Sequence, residues 1–217
     1  MIQDVFKNIY IVNLDSRSDK WQAVKQELER IGITNYKRFS AIKPNLNDYP
    51  AEYYNRFTLA GADHEKYKIG SLGCKLSHIE IIKNARNNNL ENILIFEDDV
   101  IFREDAQNIF DRAMNQMPND WQMIYFSGHH RKPFKLIADN VAKIYATYTT
   151  HGYVIRNSLY DIIIEKALIS GKELDVFYAT EIHPFYNCYC IRPPILWQAA
   201  GFSDILQGYR NYKVLQQ

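Results

Sequence analysis

Long apolar runs are missing from this chain. No stretch approaches the roughly 20 residues that a membrane-spanning helix needs. The start, Met1-Ile2-Gln3-Asp4-Val5, has no basic region followed by an apolar signal segment. Neither a spanning helix nor a leader is therefore expected. An excess of one charge is missing too. The formal net charge is +1, which gives no bulk attraction to nucleic acid or to an anionic membrane. Cysteine is scarce. Cys74, Cys188 and Cys190 cannot all pair, and Cys-x-Cys is poor disulfide geometry. A reducing, cytoplasmic setting is the expectation. Internal repeats and low-complexity segments are absent as well.

What remains is an ordinary globular composition, 47% hydrophobic and 24% charged over 217 residues. That length suits one large domain with a sizeable core. Ile9-Tyr10-Ile11-Val12-Asn13-Leu14 reads as a first strand. N-cap residues follow in Asp15 to Ser18. Trp21, Val24, Leu28 and Ile31 recur at helical spacing, and Gly32 stops that helix. Tyr36 to Ala41 reads as a second strand. Residues 43–69, with Pro44, Pro50 and Gly61, have weak periodicity and read as a long loop or small helical insertion. A helix is expected from about Ser71 to Asn88, and another over 104–117. Residues 121–127 and 144–155 look strand-rich, 157–170 helical, and the end from Tyr189 strand then loop. Alternating strands and helices predict an α/β fold with a mostly parallel central sheet. Ligands bind such sheets beyond the carboxyl ends of the strands.

One strand end is chemically unusual. Asn92-Ile93-Leu94-Ile95-Phe96 reads as a buried parallel strand, and it runs straight into Glu97, Asp98 and Asp99. Repulsion and desolvation both oppose three carboxylates there. If extension persists, Glu97 and Asp99 point one way and Asp98 the other. Two converging carboxylates are a hard-oxygen site suited to Mn²⁺ or Mg²⁺, which in turn bridges nucleotide phosphates. The competing reading is a solvated turn with helix-capping acids.

The stretch IGSLGCKLSHIEIIKNA adds two features. Gly70 and Gly73 flank Ser71 where a loop is expected to enter a helix, and free amides there can meet a phosphate. His78 falls among Cys74, Ile81, Ile82 and Ala85 at helical spacing. A core histidine bonded to a neighbour is the plain reading; a ligand-site histidine is the other.

Taken in order, IYIVNLDSRSDKW, GSLGCKLSH, ILIFEDDVIF, GYVIRNSLYDIII, LDVFY and PPILWQAAGFSDI resemble glycosyltransferase family 25, from about Ile9 to Ile205. The Gly-Cys-x-x-Ser-His and Glu-Asp-Asp motifs, correctly spaced, carry the resemblance. It implies a GT-A-like, Rossmann-like single domain over 1–217, a UDP-sugar donor, a divalent metal and inversion at the anomeric carbon. Carried over residue by residue, Asn13, Leu14 and Arg17 would lie beside the nucleotide, with Arg17 on the diphosphate. Ser77 and His78 would belong to the donor site. Glu97 would meet the ribose or a metal-bound water, and Asp99 would bind the metal with Glu97. Asp98 would orient them or touch the sugar. Gln198, Ser203 and Asp204 would wall the donor site, and Asp175 in ELDVFY matches the family's Val-Asp-x-Phe aspartate.

Some segments depart from the family. His129 and His130 match no family feature; they cannot both face one site from a strand, and the two readings are an acceptor contact or loop residues, with the loop preferred. Cys188-Tyr189-Cys190 lacks zinc spacing and reads as core packing. The 43–69 insertion has no family counterpart, so the acceptor is not legible there. Asp175, read in an extended 173–177 segment with Phe177 and Tyr178 as stacking platforms, is the expected general base. The functional expectation is a metal-dependent inverting transfer of a hexose, galactose or glucose, from UDP-hexose to a glycan or glycoprotein hydroxyl. A metal-dependent nucleotide-sugar hydrolase and a non-catalytic sugar-nucleotide-binding protein are the alternatives.

Overall fold

The computed structural model describes residues 1–58 and 63–211. A short helix α1 (Ile2–Val5) leads into β1 (Ile9–Asn13), α2 (Ser18–Arg30) and β2 (Lys37–Ser40). Two 3₁₀ turns, Leu46–Asp48 and Ala51–Tyr53, precede the long α3 (His64–Asn87). Then come β3 (Asn92–Glu97), β4 (Val100–Phe102), α4 (Ala106–Gln116), β5 (Met123–Tyr125) and β6 (His129–His130). β7 (Lys135–Ala138), β8 (Val141–Lys143), β9 (Thr147–Tyr148) and β10 (Gly152–Arg156) follow. The chain finishes through α5 (Tyr160–Lys166), α6 (Leu174–Phe177), a π-helical turn at Tyr178–Ile182, β11 (Cys188–Ile191), β12 (Leu196–Gln198), β13 (Gly201–Ser203) and β14 (Gly208–Arg210).

The central sheet has the order β2-β1-β3-β10-β5-β11-β8-β7. All its strands but β10 and β8 run the same way, so the expected mostly parallel α/β sheet is present. β3 shows why its sequence lacks polar alternation. Leu94 and Phe96 enter one core with Val24 and Leu28 of α2 and Ile109 and Phe110 of α4. Ile93 and Ile95 enter the other, with Ile79 and Ile82 of α3 and Ile163 of α5. Both faces are covered, so every position is apolar until Glu97. Cutting Leu94 to alanine would cost roughly 2–5 kcal/mol. Cys188 and Cys190 share the second core, as the packing reading has it, and all three cysteines are free.

Three expectations are corrected. Helix α3 begins at His64 rather than near Ser71, because Asp63 caps it by accepting the Lys66 N–H at 3.2 Å. Gly70 and Gly73 are therefore helix interior, with their amides engaged in the helix, and offer no phosphate nest. Their smallness serves close approach: a Cβ on Gly73 would collide with the Ile42 carbonyl, and one on Gly70 would press on Ile205. The insertion is shorter than expected. Phe57, Tyr67, Leu72 and Leu76 form its own small core against Tyr49, Tyr53 and Tyr54, while Gly61 lies outside the described residues. Finally, His129 and His130 are not loop residues. They pair with Tyr148 and Thr147, and His130 Nδ1 lies 2.8 Å from the Thr147 hydroxyl.

Candidate active site

β3 ends at Glu97, and the chain turns through Asp98 and Asp99 before β4 resumes at Val100. The turn cancels the alternation expected of an extended strand, and all three acids line one cavity of about 430 Å³. Antiparallel pairing of β12 with β4 brings Gln198 opposite Val100. The Gln198 amide then donates to Asp99 Oδ1 at 3.5 Å, and the Ala199 N–H to the Asp99 carbonyl at 2.7 Å. Asn13, at the end of β1 beside β3, donates to Asp98 Oδ2 at 2.6 Å and accepts from Arg38 at 2.7 Å. Leu14, His78, Gln198, Ser203 and Asp204 line the same cavity. Residues distant in sequence thus meet at one cavity.

Two expected residues do not reach it. The Ser77 hydroxyl is buried, donating to the Gly73 carbonyl at 2.7 Å and accepting the Ile42 N–H at 2.8 Å. Its work is to fasten the post-β2 segment to α3. Arg17 points its guanidinium at Asp19 and Asp204 and lines a neighbouring cavity instead. Lys20, which was not expected there, lines the main cavity together with Lys43 and Lys66, and it ion-pairs with the acids. Its signal is present in the sequence: it stands four residues before buried Val24, on the inward face of α2.

His78 sits in the core and also at the cavity wall. It is wholly buried, stacked on Tyr153 at 5.7 Å, with Nδ1 2.7 Å from the Tyr153 hydroxyl. It also turns Nε2 toward Glu97 Oε1 at 3.8 Å and lines the cavity. Burial pulls its pKa down to about 3, so the ring is neutral.

Proton affinity in the cavity is raised. Burial, and then the charge of Asp99, lift Glu97 well above the usual carboxylate range, with the Thr150 hydroxyl at 2.7 Å opposing. Burial raises Asp98 to about 6, and raises Asp99 against the pull of Lys20. Burial also disfavours the Lys20 charge, but Asp99, Asp98 and Asp204 outweigh it and the ammonium is stabilised.

A divalent hard cation fits this chemistry. Glu97 and Asp99 are both half-buried, and Lys20 divides its ammonium among Asp98, Asp99 and Asp204. Mg²⁺ and Mn²⁺ commonly use one or two carboxylates and leave other positions to water and phosphate.

Asp175 lies next door. Cys74, Glu97, Gln198, Ser203 and Ile205 separate the main cavity from a smaller one of about 190 Å³, lined also by Asp175, Glu173, Thr149 and Tyr67. The segment around Asp175 is helical, not extended, and Phe177 and Tyr178 are buried in the core. They offer no platform to an acceptor. The Asp175 carboxylate is fixed by the backbone N–H groups of Thr149 at 3.0 Å and Val176 at 2.8 Å. Burial raises its pKa, and those amides draw it back. Thr149 has φ of 78°, an unusual conformation for a β-branched residue. Thr149 thereby holds Asp175 while adjacent Thr150 holds Glu97, a link that no motif in the sequence announces.

Comparison with known proteins bears on this arrangement. The sequence profile of Glycosyltransferase family 25 (LPS biosynthesis protein) matches residues 6–168. The chain belongs to glycosyltransferase family 25. The matched range holds Asn13, Lys20, His78 and the acidic triplet; Asp175, Gln198, Ser203 and Asp204 follow it and join the site through the fold. Among relatives in family 25, a "Glycosyltransferase 25 family member" of Drosophila pseudoobscura pseudoobscura is 29% identical over 161 residues, covering 68% of this chain and 25% of that protein. "Procollagen galactosyltransferase 2" of Homo sapiens is 31% identical over 164 residues, covering 69% of this chain and 26% of that protein. The chain thus spans about a quarter of the length of these relatives. The crystal structure of a glycosyltransferase involved in glycosylation of the major capsid of PBCV-1 superposes with a TM-score of 0.38 at 12% identity, over 72% of this chain and 62% of that one. Among the described residues no helix is long and apolar enough to cross a membrane.

Proposed function

We propose that this family 25 chain transfers a hexose, galactose or glucose, from a UDP-sugar to a hydroxyl of a glycan or glycoprotein, with inversion and with a divalent metal. One observation carries the reading: the acidic cavity shares a wall, at Glu97, with a second cavity lined by the half-buried carboxylate of Asp175. A donor in the first and an acceptor in the second would meet at their boundary.

Asp99 and Glu97 would hold Mn²⁺ or Mg²⁺, which when bound neutralises the leaving diphosphate. Lys20 adds a fixed positive charge on that side of the cavity. Asn13 orients Asp98, and Gln198 orients Asp99. On the acceptor side, Asp175 takes the proton from the attacking hydroxyl as its oxygen bonds to the anomeric carbon and the bond to UDP breaks. A sugar hydroxyl is hardly acidic before attack begins. The base must therefore sit still at the acceptor oxygen, and two backbone amides hold Asp175 so.

The test is UDP release from a panel of UDP-sugars with Mn²⁺, with and without glycan or protein acceptors. Acceptor-dependent release with a glycosylated product is the expected result. Equal release without acceptor would make the protein a hydrolase, and binding without turnover would make it a sugar-nucleotide-binding protein.

A further inference from the structure

We propose that Cys74, His78 and Glu97 form a second metal site, one that takes a thiophilic divalent cation of the zinc class. Cys74 and His78 are four residues apart on α3 and so share a face. Glu97 meets that face from the end of β3. The three ligand atoms lie within 4.8 Å of one another, with His78 Nε2 3.8 Å from Glu97 Oε1. Tetrahedral zinc has bonds of about 2.3 Å to sulfur and roughly 2.0–2.2 Å to nitrogen and oxygen, which leaves its ligands roughly 3–4 Å apart. A small closing of the side chains suffices.

An independent observation points to a ligand at this place. His78 Nε2 is buried and has no hydrogen-bond partner, although burying such an atom unpaired is costly. The opposite ring nitrogen explains how it is presented. Nδ1 bonds the Tyr153 hydroxyl at 2.7 Å, and the ring stacks on Tyr153, so Nε2 is held pointing at Glu97. A neutral histidine that donates from Nδ1 leaves a lone pair on Nε2, the arrangement that outer partners enforce on metal-bound histidines. All three residues line the main cavity, so the cation has a way in and water has the fourth position. Binding is balanced in charge. The Cys74 thiol releases its proton to solvent, and thiolate plus carboxylate neutralise a divalent cation.

This site differs in kind from the one between Glu97 and Asp99. Sulfur and imidazole select zinc over manganese and magnesium. Glu97 belongs to both. On the reading in the preceding subsection, zinc held here would take Glu97 from the donor cavity and slow transfer.

The experiment uses the metal-free protein, Co²⁺ as a spectroscopic probe and Zn²⁺ as competitor, with no nucleotide present. Wild type should show the near-ultraviolet sulfur-to-cobalt charge-transfer band, and Zn²⁺ should bleach it. Cys74→Ser should lose the band and bind Zn²⁺ at least roughly 10–100-fold more weakly. Asp99→Asn should keep both. Absence of the band in wild type at saturating Co²⁺ overturns the proposal, and so does Zn²⁺ affinity unchanged in Cys74→Ser. Should Cys74→Ser fold poorly, Cys74→Ala serves, and the wild-type spectrum alone still decides. Zn²⁺ should also inhibit Mn²⁺-supported transfer in wild type. If no transfer is ever found, the binding results stand by themselves, so this proposal and the transferase reading fail separately.

Discussion

Lys20 holds its ammonium 3.6 Å from Asp99 Oδ2, and 3.7 Å from carboxylate oxygens of both Asp98 and Asp204. One cation serves three acids, and Glu97 stands outside the group. In Lys20→Met, Asp98 and Asp99 lose this counter-charge, while Asp204 keeps Arg17. Removing one partner of a fully buried pair costs roughly 3–5 kcal/mol; with about a sixth of the Lys20 side chain still exposed, roughly half of that is expected. Melting temperature without metal should fall, and Mn²⁺ should raise it more in the variant than in wild type. A loss that Mn²⁺ leaves untouched would separate Lys20 from the metal position.

Much of this site is legible in the sequence and some is not, for physical reasons. The acidic end of β3 is visible because three carboxylates interrupt an apolar run, where desolvation and mutual repulsion oppose them. Asn13 and Asp204 are visible through short motifs. Lys20 hides because a lysine near a helix start is usually solvated, and only its phase relative to Val24 betrays it. Thr149 and Thr150 hide entirely: their roles come from a backbone turn, with φ of 78° at Thr149, that no residue type there announces. Arg17 misleads for the opposite reason. Its charge suits a diphosphate, but Asp19 lies two residues away and binds it first.

Thr150 supports Glu97 with a 2.7 Å hydrogen bond. Thr150→Val keeps the shape and removes the donor. Glu97 then loses an interaction that favours its ionised form, so its proton affinity rises further. Mn²⁺-dependent UDP-sugar binding should weaken roughly 10-fold, the low end for loss of an outer metal partner. Isothermal titration at pH 7 measures this. An unchanged affinity would place Glu97 outside the metal's reach.

Buried neutral histidines give a stability signature in acid. Burial pulls His183 down to about 3, and the Thr147 N–H donates to its Nδ1 at 3.2 Å. Between pH 6.5, near the unfolded value, and pH 3, the unfolded chain binds a proton that the native chain refuses. Stability due to this group is full above that window and is lost as pH falls through it, at about 1.4 kcal/mol per pH unit. His151 and His78, also held near 3 by burial, act in the same direction. His183→Asn keeps an acceptor for the Thr147 amide and removes one titration. Urea unfolding at pH 6 and pH 4.5 should show a smaller pH-dependent loss in the variant than in wild type; identical losses would mean that His183 is protonated in the native state.

The last prediction concerns Asp175, whose two oxygens each accept a backbone N–H, from Thr149 and from Val176. Asparagine offers one oxygen, so Asp175→Asn sets an amide group against a donor and should cost roughly 1–2 kcal/mol of stability. That is a modest fall in melting temperature and leaves the fold intact. A general base contributes roughly 10²–10⁴-fold to turnover. Transfer should therefore drop by that factor while Mn²⁺-dependent UDP-sugar affinity, set in the neighbouring cavity, stays near wild type. The carboxylate has lone pairs left for a substrate proton after its amide bonds, and burial raises its basicity. Glu181 is no substitute. It is exposed, ion-paired to Lys172 at 2.5 Å, and lines neither cavity. If Asp175→Asn transfers sugar near the wild-type rate, the base must be sought at Glu173, which lines the same small cavity with its carboxylate 3.0 Å from the Tyr67 hydroxyl. If instead the variant loses Mn²⁺-dependent binding, Asp175 reaches the metal through the shared wall at Glu97, and the division between donor and acceptor cavities fails.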